Sequence, residues 1–225
     1  MLLDADDSQL VLVDYQARLM PAIFESELIV ANALRLARMA RVMAVPVWGT
    51  EQNPAGLGRN MPDLIAAIEG VSDAGGGKTL AKLHFSAVED GLADWLRPPV
   101  RKPTEGAFQG DLHRGNARSL PKHLQKPAAP AAPDTPEGRN TILIAGCEAH
   151  VCLMQTALGL LEEEFDVWVV TDACSSRSER NRDAAFDRLA GAGAELVTTE
   201  MVAFEWLRTF EHPAFKEVMG LVKQG

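Results

Sequence analysis

Short runs of apolar residues alternate along the chain with longer segments in which apolar residues recur every three or four positions. Uninterrupted apolar runs are typical of strands covered on both faces of a parallel sheet, and the longer spacing is typical of amphipathic helices. The pattern predicts strands at residues 10–14, 46–50, 79–83, 141–145, 166–171 and 195–198, and helices at residues 26–45, 62–69, 87–96, 150–163, 178–192, 201–209 and 213–223. This alternation predicts an α/β fold in which a six-stranded, doubly wound parallel sheet is sandwiched between helices, as in Rossmann-like proteins.

One segment, residues 97–140, breaks this alternation. It contains eight of the thirteen prolines and has little apolar periodicity. Its sequence PAAPAAPDTPEGRN is typical of an extended, polyproline-like linker, and a connection of this length is uncommon inside a compact domain. We interpret the chain as a single domain over residues 1–225 with a proline-rich insertion at about 97–140. Whether the insertion is a lid, an arm between subunits or a disordered surface segment is left open.

Composition and charge restrict the classes of partner. The chain has 225 residues, of which 47% are hydrophobic, enough to bury a full core. Because 31 acidic and 22 basic side chains give a net charge of −9, we expect neither nucleic acid nor a membrane surface as a partner. No apolar run reaches the length of about 18 residues that a membrane span needs. The acidic N-terminus has no signal-peptide pattern, and three cysteines form no disulfide framework, so we expect reduced thiols and a cytoplasmic location.

The segment TILIAGCEAHVCLMQTALGLL, residues 141–161, carries the first candidate for chemistry. It predicts a buried strand, a sharp turn and a helix with Cys152 near its first turn, where the helix dipole favours a thiolate. The apolar strand in QLVLVDYQ ends on Asp14, and the third predicted strand ends near Lys82. In an open parallel sheet, ligands bind beyond the carboxyl ends of the strands, where the winding reverses. The three side chains therefore form a plausible nucleophile, proton-transfer group and cation.

Further residues near this edge are candidates for binding a substrate. Gln16 follows the first strand and either hydrogen-bonds the substrate or faces water, and Glu51 ends the second strand. Backbone N–H groups in residues 148–152 would hold a developing oxyanion, which makes Glu148 and Ala149 binding candidates. His150 is not expected to pair with the thiol, because residues two apart on a helix do not face each other.

Several segments, taken together, carry a resemblance to a known family. In chain order they are VLVDYQ, VPVWGTEQNPAGLG, LAKLHFSAV, GCEAHVCLMQTAL, VTDACSSRSERNRDAAFDRL and HPAFKEVMGLVK. With these segments the chain resembles the isochorismatase-like cysteine hydrolases, and within them the isochorismatase-domain-containing group, over most of its length outside residues 97–140. The resemblance implies a six-stranded parallel sheet, assembly as a dimer, a tetramer or a larger oligomer, and a cis peptide bond between Cys147 and Glu148. It also implies a catalytic triad of Asp14, Lys82 and Cys152.

The same superfamily includes nicotinamidases, which carry an Asp-x-His metal cluster after the second strand. Here that place reads Glu51, Gln52, Asn53 and Pro54, without a histidine. The remaining histidines are scattered without the spacing of metal ligands. We therefore expect no metal and no cofactor.

The leading hypothesis is a hydrolase that cleaves a small amide or a related carbonyl compound through a covalent thioester. One alternative is isochorismatase-type vinyl-ether hydrolysis, which needs no thiol nucleophile. Another is a non-catalytic interaction protein on the same fold, for which the insertion is the best support.

Overall fold

Six parallel strands form one sheet in the computed structural model, which describes residues 1–70, 75–97 and 138–223. The strands are β1 Ser8–Val13, β2 Val47–Gln52, β3 Lys78–Lys82, β4 Thr141–Gly146, β5 Asp166–Val170 and β6 Glu195–Val197. All neighbouring strands are parallel, in the spatial order β3-β2-β1-β4-β5-β6. All six predicted strands and the doubly wound parallel sheet are confirmed.

The helices follow the predicted order, with ends that differ from the predicted ones by up to five residues. They are α1 Ser26–Val42, α2 Pro54–Leu57, α3 Pro62–Glu69, α4 Leu92–Leu96, α5 Met154–Glu162, α6 Glu179–Gly191, α7 Thr199–Leu207 and α8 Phe215–Val222. The predicted helix 87–96 begins only at Leu92, because Gly91 before it has a left-handed backbone with φ of 92°. The short helix α2 was not predicted. A π-helical turn, Ala149–Leu153, precedes α5.

The sheet is covered on both faces. Helix α1 packs beside α3, α7 and α8, whereas α5 packs beside α6. Every residue of β1, β2 and β4 is buried, so these strands do not alternate between exposed and buried positions. Most of β1 and β4 is apolar, whereas β2 ends on the polar residues Thr50, Glu51 and Gln52. On α1, the buried Ile29, Ala33, Leu36 and Ala40 recur at spacings of four and three residues and form the face that packs on the sheet.

The chain reverses its winding direction between β1 and β4, which lie side by side at the centre of the sheet. The N–H group of Cys147, just after β4, donates to the Val13 carbonyl oxygen at 3.0 Å. A side chain at Gly146 would overlap that same carbonyl oxygen, so the close approach of the two strand ends requires glycine. The Cys147–Glu148 peptide bond is cis, as the resemblance implied.

The predicted insertion lies largely outside the described residues, and only its two ends belong to them. At these ends, the Arg97 guanidinium donates to the Asn140 side-chain oxygen at 2.5 Å and lies over the Phe165 ring. Among the described residues, no helix combines the length and the apolar character needed to cross a bilayer.

Candidate active site

Asp14, Lys82 and Cys152 meet at the carboxyl edge of the sheet. Asp14 follows β1, Lys82 is the last residue of β3, and Cys152 lies in the π-helical turn after β4. Lys82 is two strands away from β1, and its side chain reaches past the end of β2. Its Nζ lies 2.8 Å from Asp14 Oδ2, and both side chains are 0% exposed. The place where the winding direction reverses, which was predicted to bind a ligand, therefore holds a fully buried ion pair.

The ammonium group of Lys82 is surrounded by acceptors. It donates to Gln52 Oε1 at 2.6 Å, to the Phe85 carbonyl oxygen at 3.1 Å and to the His84 carbonyl oxygen at 3.4 Å. These three acceptors match the three N–H donors of a lysine ammonium, and the contact with Asp14 Oδ2 is an ion pair outside hydrogen-bond geometry. Such a set compensates the desolvation of a buried cation.

The loop after β3 is folded around this lysine by Asp90. Its Oδ2 accepts hydrogen bonds from the backbone N–H groups of Leu83 at 3.1 Å and His84 at 3.0 Å. Burial alone would raise the pKa of Asp90, but the hydrogen bonds from the His84 backbone and ring outweigh it and lower the pKa. The turn fixed in this way presents the Phe85 carbonyl oxygen to Lys82.

The carboxylate of Asp14 is held by its neighbour on β2. Its Oδ1 accepts a hydrogen bond from the Thr50 hydroxyl at 2.7 Å, and its own N–H donates to the Thr50 carbonyl oxygen at 3.3 Å. The backbone of Asp14 is left-handed, with φ of 54°. An aspartate tolerates this conformation better than most residues, and here it marks the point where β1 turns off the sheet.

The Cys152 sulfur lies beside this ion pair and is 3.9 Å from Gln52 Oε1. Burial and the negative charge of Asp14 raise the pKa of the Cys152 thiol to about 12, and Lys82 only partly counteracts them. Burial and the Asp14 carboxylate therefore favour the thiol, against the thiolate that the sequence predicted, and the Lys82 cation acts in the opposite direction. Cys152 as a whole is buried, with 6% of its surface exposed.

Gln52 links the three groups, although sequence reasoning, which places it near the pocket at the end of the second strand, assigns it no role. Its side-chain N–H donates to the Leu83 carbonyl oxygen at 2.7 Å, which turns its own carbonyl oxygen toward Lys82 and Cys152. Gln52 pairs with Lys82 in the register of β2 and β3. Its place at the end of β2, between β1 and β3, was the signal that could have identified it.

Gln16 has a structural role instead of the predicted contact with substrate or water, whereas the role of Glu51 in binding substrate stays a prediction. Gln16 is fully buried, and its amide hydrogen-bonds to the N–H and the carbonyl oxygen of Gln52 and to the Gly58 carbonyl oxygen. Glu51 Oε1 accepts the backbone N–H of Asn60 at 2.8 Å. Both side chains fasten the loop that follows β2. The Gln16 amide is fully occupied by these contacts.

Glu148 and Ala149 also have partners within the protein. Glu148 Oε2 accepts from the Arg177 side chain at 2.8 Å and from its backbone N–H at 3.2 Å. The N–H of Ala149 donates to the Ser175 carbonyl oxygen at 2.8 Å, so it is not available to an oxyanion. This corrects the prediction for Ala149, because the loop after β5 folds back over the turn.

His150 contacts the Ser176 hydroxyl at 2.9 Å through Nδ1, in agreement with the expectation that it does not pair with the thiol. Within residues 1–70, 75–97 and 138–223, no three His, Cys, Asp or Glu side chains are grouped to hold a metal ion. The absence of a metal and of a cofactor stays a prediction.

With this geometry in place, comparison with known proteins gives the family. The sequence model of the isochorismatase domain matches residues 8–201. Mouse isochorismatase domain-containing protein 2A is 32% identical over 219 residues, which cover 97% of this chain and 84% of that protein. The MAR1 ribonuclease of Caenorhabditis elegans superposes with a TM-score of 0.72 at 27% identity, over 99% of this chain and 93% of that chain.

The YcaC gene product of Escherichia coli, described as an octameric hydrolase of unknown specificity, has a TM-score of 0.71 at 24% identity. The superposition covers 100% of this chain and 97% of that chain and extends the likeness of fold over the whole sheet. The chain therefore belongs to the isochorismatase family of hydrolases.

Proposed function

We propose that the protein hydrolyses a small amide or a related carbonyl compound through a thioester on Cys152, with Asp14 and Lys82 as its partners. The observation that carries this proposal is the fully buried ion pair, Lys82 Nζ to Asp14 Oδ2 at 2.8 Å, beside a thiol. Burying two charges is costly, and such pairs with strongly shifted neighbours cluster at functional sites. We further propose that it works without a cofactor, as a homo-oligomer in the cytoplasm.

The first half of the reaction forms the thioester. The resting sulfur is a thiol, since its pKa is raised to about 12. Asp14 therefore takes the proton as the sulfur bonds to the substrate carbonyl carbon, and the carbonyl oxygen becomes an oxyanion. Lys82 stabilises the negative charge that passes through the sulfur. When the tetrahedral intermediate collapses, the C–N bond breaks and protonated Asp14 gives its proton to the departing amine.

The second half restores the enzyme. Asp14, again a carboxylate, takes a proton from a water molecule whose oxygen attacks the thioester carbon. Collapse of the second intermediate breaks the C–S bond, and the sulfur recovers its proton from Asp14. The net reaction consumes one amide and one water and yields one acid and one amine, so the same carboxylate moves each proton.

Backbone N–H groups of the turn after β4 are the proposed oxyanion donors. The N–H groups of Ala149 and Val151 donate to the carbonyl oxygens of Ser175 and Glu148. Glu148, His150 and Cys152 are the remaining candidates in residues 148–152. Preorganised N–H donors of this kind are worth about 3–4 kcal/mol each in transition-state stabilisation.

RNA hydrolysis is the second candidate, because the 27% identical solved neighbour is described as a ribonuclease. The net charge of −9 disfavours a polyanionic substrate. Isochorismate cleavage would leave Cys152 without a role, and an interaction protein would leave the whole buried ion pair without one.

The deciding experiment is turnover of a panel of small primary and substituted amides, with intact-mass analysis of the enzyme during turnover. We expect an acyl adduct on Cys152 and a loss of about 10³-fold or more in Cys152→Ala. Cys174→Ala is the matched control, because this thiol is also buried but donates to the Val170 carbonyl oxygen away from the ion pair. Turnover of any substrate, including RNA or isochorismate, that survives in Cys152→Ala would refute the thioester mechanism.

A further inference from the structure

Helix α1 carries an outward stripe on the face opposite to its buried one. We define the α1 stripe as Glu27, Ala31, Leu34, Arg38 and Arg41, which follow one another at spacings of four and three residues. Leu34 is half-buried and the other four are exposed. At 3.6 residues per turn these side chains point the same way, whereas Ala33, Leu36 and Ala40 point into the core.

The middle of the stripe opens into an apolar groove. Beside Val30 and Leu34, the groove is lined by Met20 and Pro21 of the loop before α1 and by Met61 at the start of α3. Leu34 also lines two neighbouring depressions, one shared with α3 and one shared with Leu221 of α8. A surface that is concave and apolar at its centre and charged at both ends has the anatomy of a protein interface.

The charges of the stripe are self-complementary. The point midway between Ala31 and Leu34 is equally far along the helix from Glu27 as from Arg38. A two-fold axis through this point would place Glu27 of each copy opposite Arg38 of the other, and the small Ala31 opposite the large Leu34. The two ion pairs would lie about 16 Å apart, at 1.5 Å of rise per residue.

The helix dipole explains only part of the charge pattern on the α1 stripe. An acid in the first turn and bases toward the end of a helix complement the helix dipole in any exposed helix. The dipole does not account for an apolar centre on the solvent face, nor for the groove beside it. Both are accounted for by an isologous contact, in which one patch faces its own copy.

The geometry points to the α1 stripe and its groove as the surface on which a second copy of this chain docks, with the two α1 helices antiparallel across a two-fold axis. This assignment is independent of the proposed reaction, since it uses no residue of the active site.

Charge reversal tests the assignment, with mass photometry or sedimentation across a dilution series as the readout. We expect Glu27→Arg and Arg38→Glu each to raise the dissociation constant about 10- to 100-fold, because each change places like charges opposite one another twice. The double variant restores the opposite charges and should return the constant to within about tenfold of the starting protein. Asp187→Arg, an equal change at an exposed position of α6, is the control. A monomeric starting protein, or a double variant no better than the single ones, would overturn the assignment.

Cross-linking gives a second, geometric readout that does not depend on affinity. Ala31→Cys protein mixed with Leu34→Cys protein should form a mixed disulfide-linked dimer faster than either protein alone. Equal rates in all three samples would place the contact elsewhere. If the Leu34→Cys protein is monomeric and its new thiol is protected from alkylation, we would conclude that residues 98–137 of the same chain cover the groove. That result would also overturn the assignment.

Discussion

The amino ends of the strands form one edge of the sheet, here called the amino edge, and the carboxyl ends form the carboxyl edge. Both edges carry buried polar side chains, but the two sets of side chains differ in their partners. At the amino edge, Gln9 donates to the carbonyl oxygens of Leu96 and Arg139 and accepts from the Trp48 indole at 3.0 Å. The Arg139 guanidinium in turn donates to the Ser8 carbonyl oxygen at 3.0 Å. At the carboxyl edge, Lys82 also donates to the Phe85 carbonyl oxygen, but its two shortest contacts are with the side chains of Gln52 and Asp14, and Lys82 and Asp14 are an ion pair with no exposure.

The contrast separates polar groups that build the fold from polar groups that, in our proposal, take part in the reaction. A side chain that satisfies backbone carbonyls, as at the amino edge, replaces a missing secondary-structure hydrogen bond. A carboxylate and an ammonium removed from water gain little stability over an apolar pair of the same size. The presence of this ion pair next to a thiol therefore supports the proposed reaction. Mutations at the two edges should have different effects on the free energy of unfolding.

The largest effect is expected from Lys82→Met, which leaves the Asp14 carboxylate buried without its cation. We expect a loss of about 3–5 kcal/mol in the free energy of unfolding, measured with urea. Asp14→Asn combined with Lys82→Met removes both charges and should recover most of the loss, since asparagine tolerates the left-handed backbone at position 14. A loss below about 1 kcal/mol for Lys82→Met would mean that water reaches the carboxylate.

The second largest effect is expected from alkaline pH, which should lower the stability of the fold through the thiols at the carboxyl edge. Burial raises the pKa of Cys152 and Cys174 to about 12 and that of Cys147 well above 9.0, and all three lie after β4 or β5. In the unfolded chain these thiols lose their protons near pH 9.0, so above this pH the unfolded state binds fewer protons and folding stability falls.

The expected slope approaches about 1.4 kcal/mol per pH unit for each thiol above about pH 9, measured as urea midpoints between about pH 8 and about pH 9.5, where the three thiols together should lower the free energy of unfolding by about 2–3 kcal/mol. Cys152→Ala removes one of the three contributions and should make the decline shallower. An unchanged slope in this variant would show that the Cys152 thiol titrates alike in the folded and unfolded chains.

The smallest effect is expected from Arg139→Met at the amino edge. The variant loses charged hydrogen bonds to the carbonyl oxygens of Ser8 and Ala44, which should cost about 1–3 kcal/mol in unfolding free energy. The rate at which iodoacetamide alkylates Cys152 in the folded protein should stay the same. A changed alkylation rate would mean that the amino edge influences the thiol at the carboxyl edge, and that the two edges do not have separate roles.

The fold was accessible from sequence because its signal is local. Buried parallel strands are apolar on both faces, and β1, β2 and β4 have no exposed residue. Asp14, Lys82 and Cys152 were placed at one edge for the same reason, since the carboxyl ends of parallel strands coincide. Helix ends were less accurate, as in α4, where the left-handed Gly91 ends the preceding turn.

The partners of the side chains were not accessible in this way. Gln16 and Glu51 occupy strand ends like those of Asp14 and Lys82, but the loop after β2 folds back and forms hydrogen bonds with both side chains. Gln52, next to Glu51, points to the ion pair instead. The sequence carries no periodicity that distinguishes these neighbours. The raised pKa of Cys152 likewise depends on burial and on a carboxylate distant in the chain.

Lys82 is the last residue of β3, and β3 is an outermost strand of the sheet. Outermost strands have one hydrogen-bonded neighbour and are ordinarily the first to detach in local openings. Here detachment of β3 would separate Lys82 from the Asp14 carboxylate, which follows the central strand β1. Opening of this outermost strand would therefore leave a buried charge without its counter-ion. Hydrogen exchange at β3 should accordingly be slower than at β6, the opposite outermost strand, which contributes no group to the ion pair.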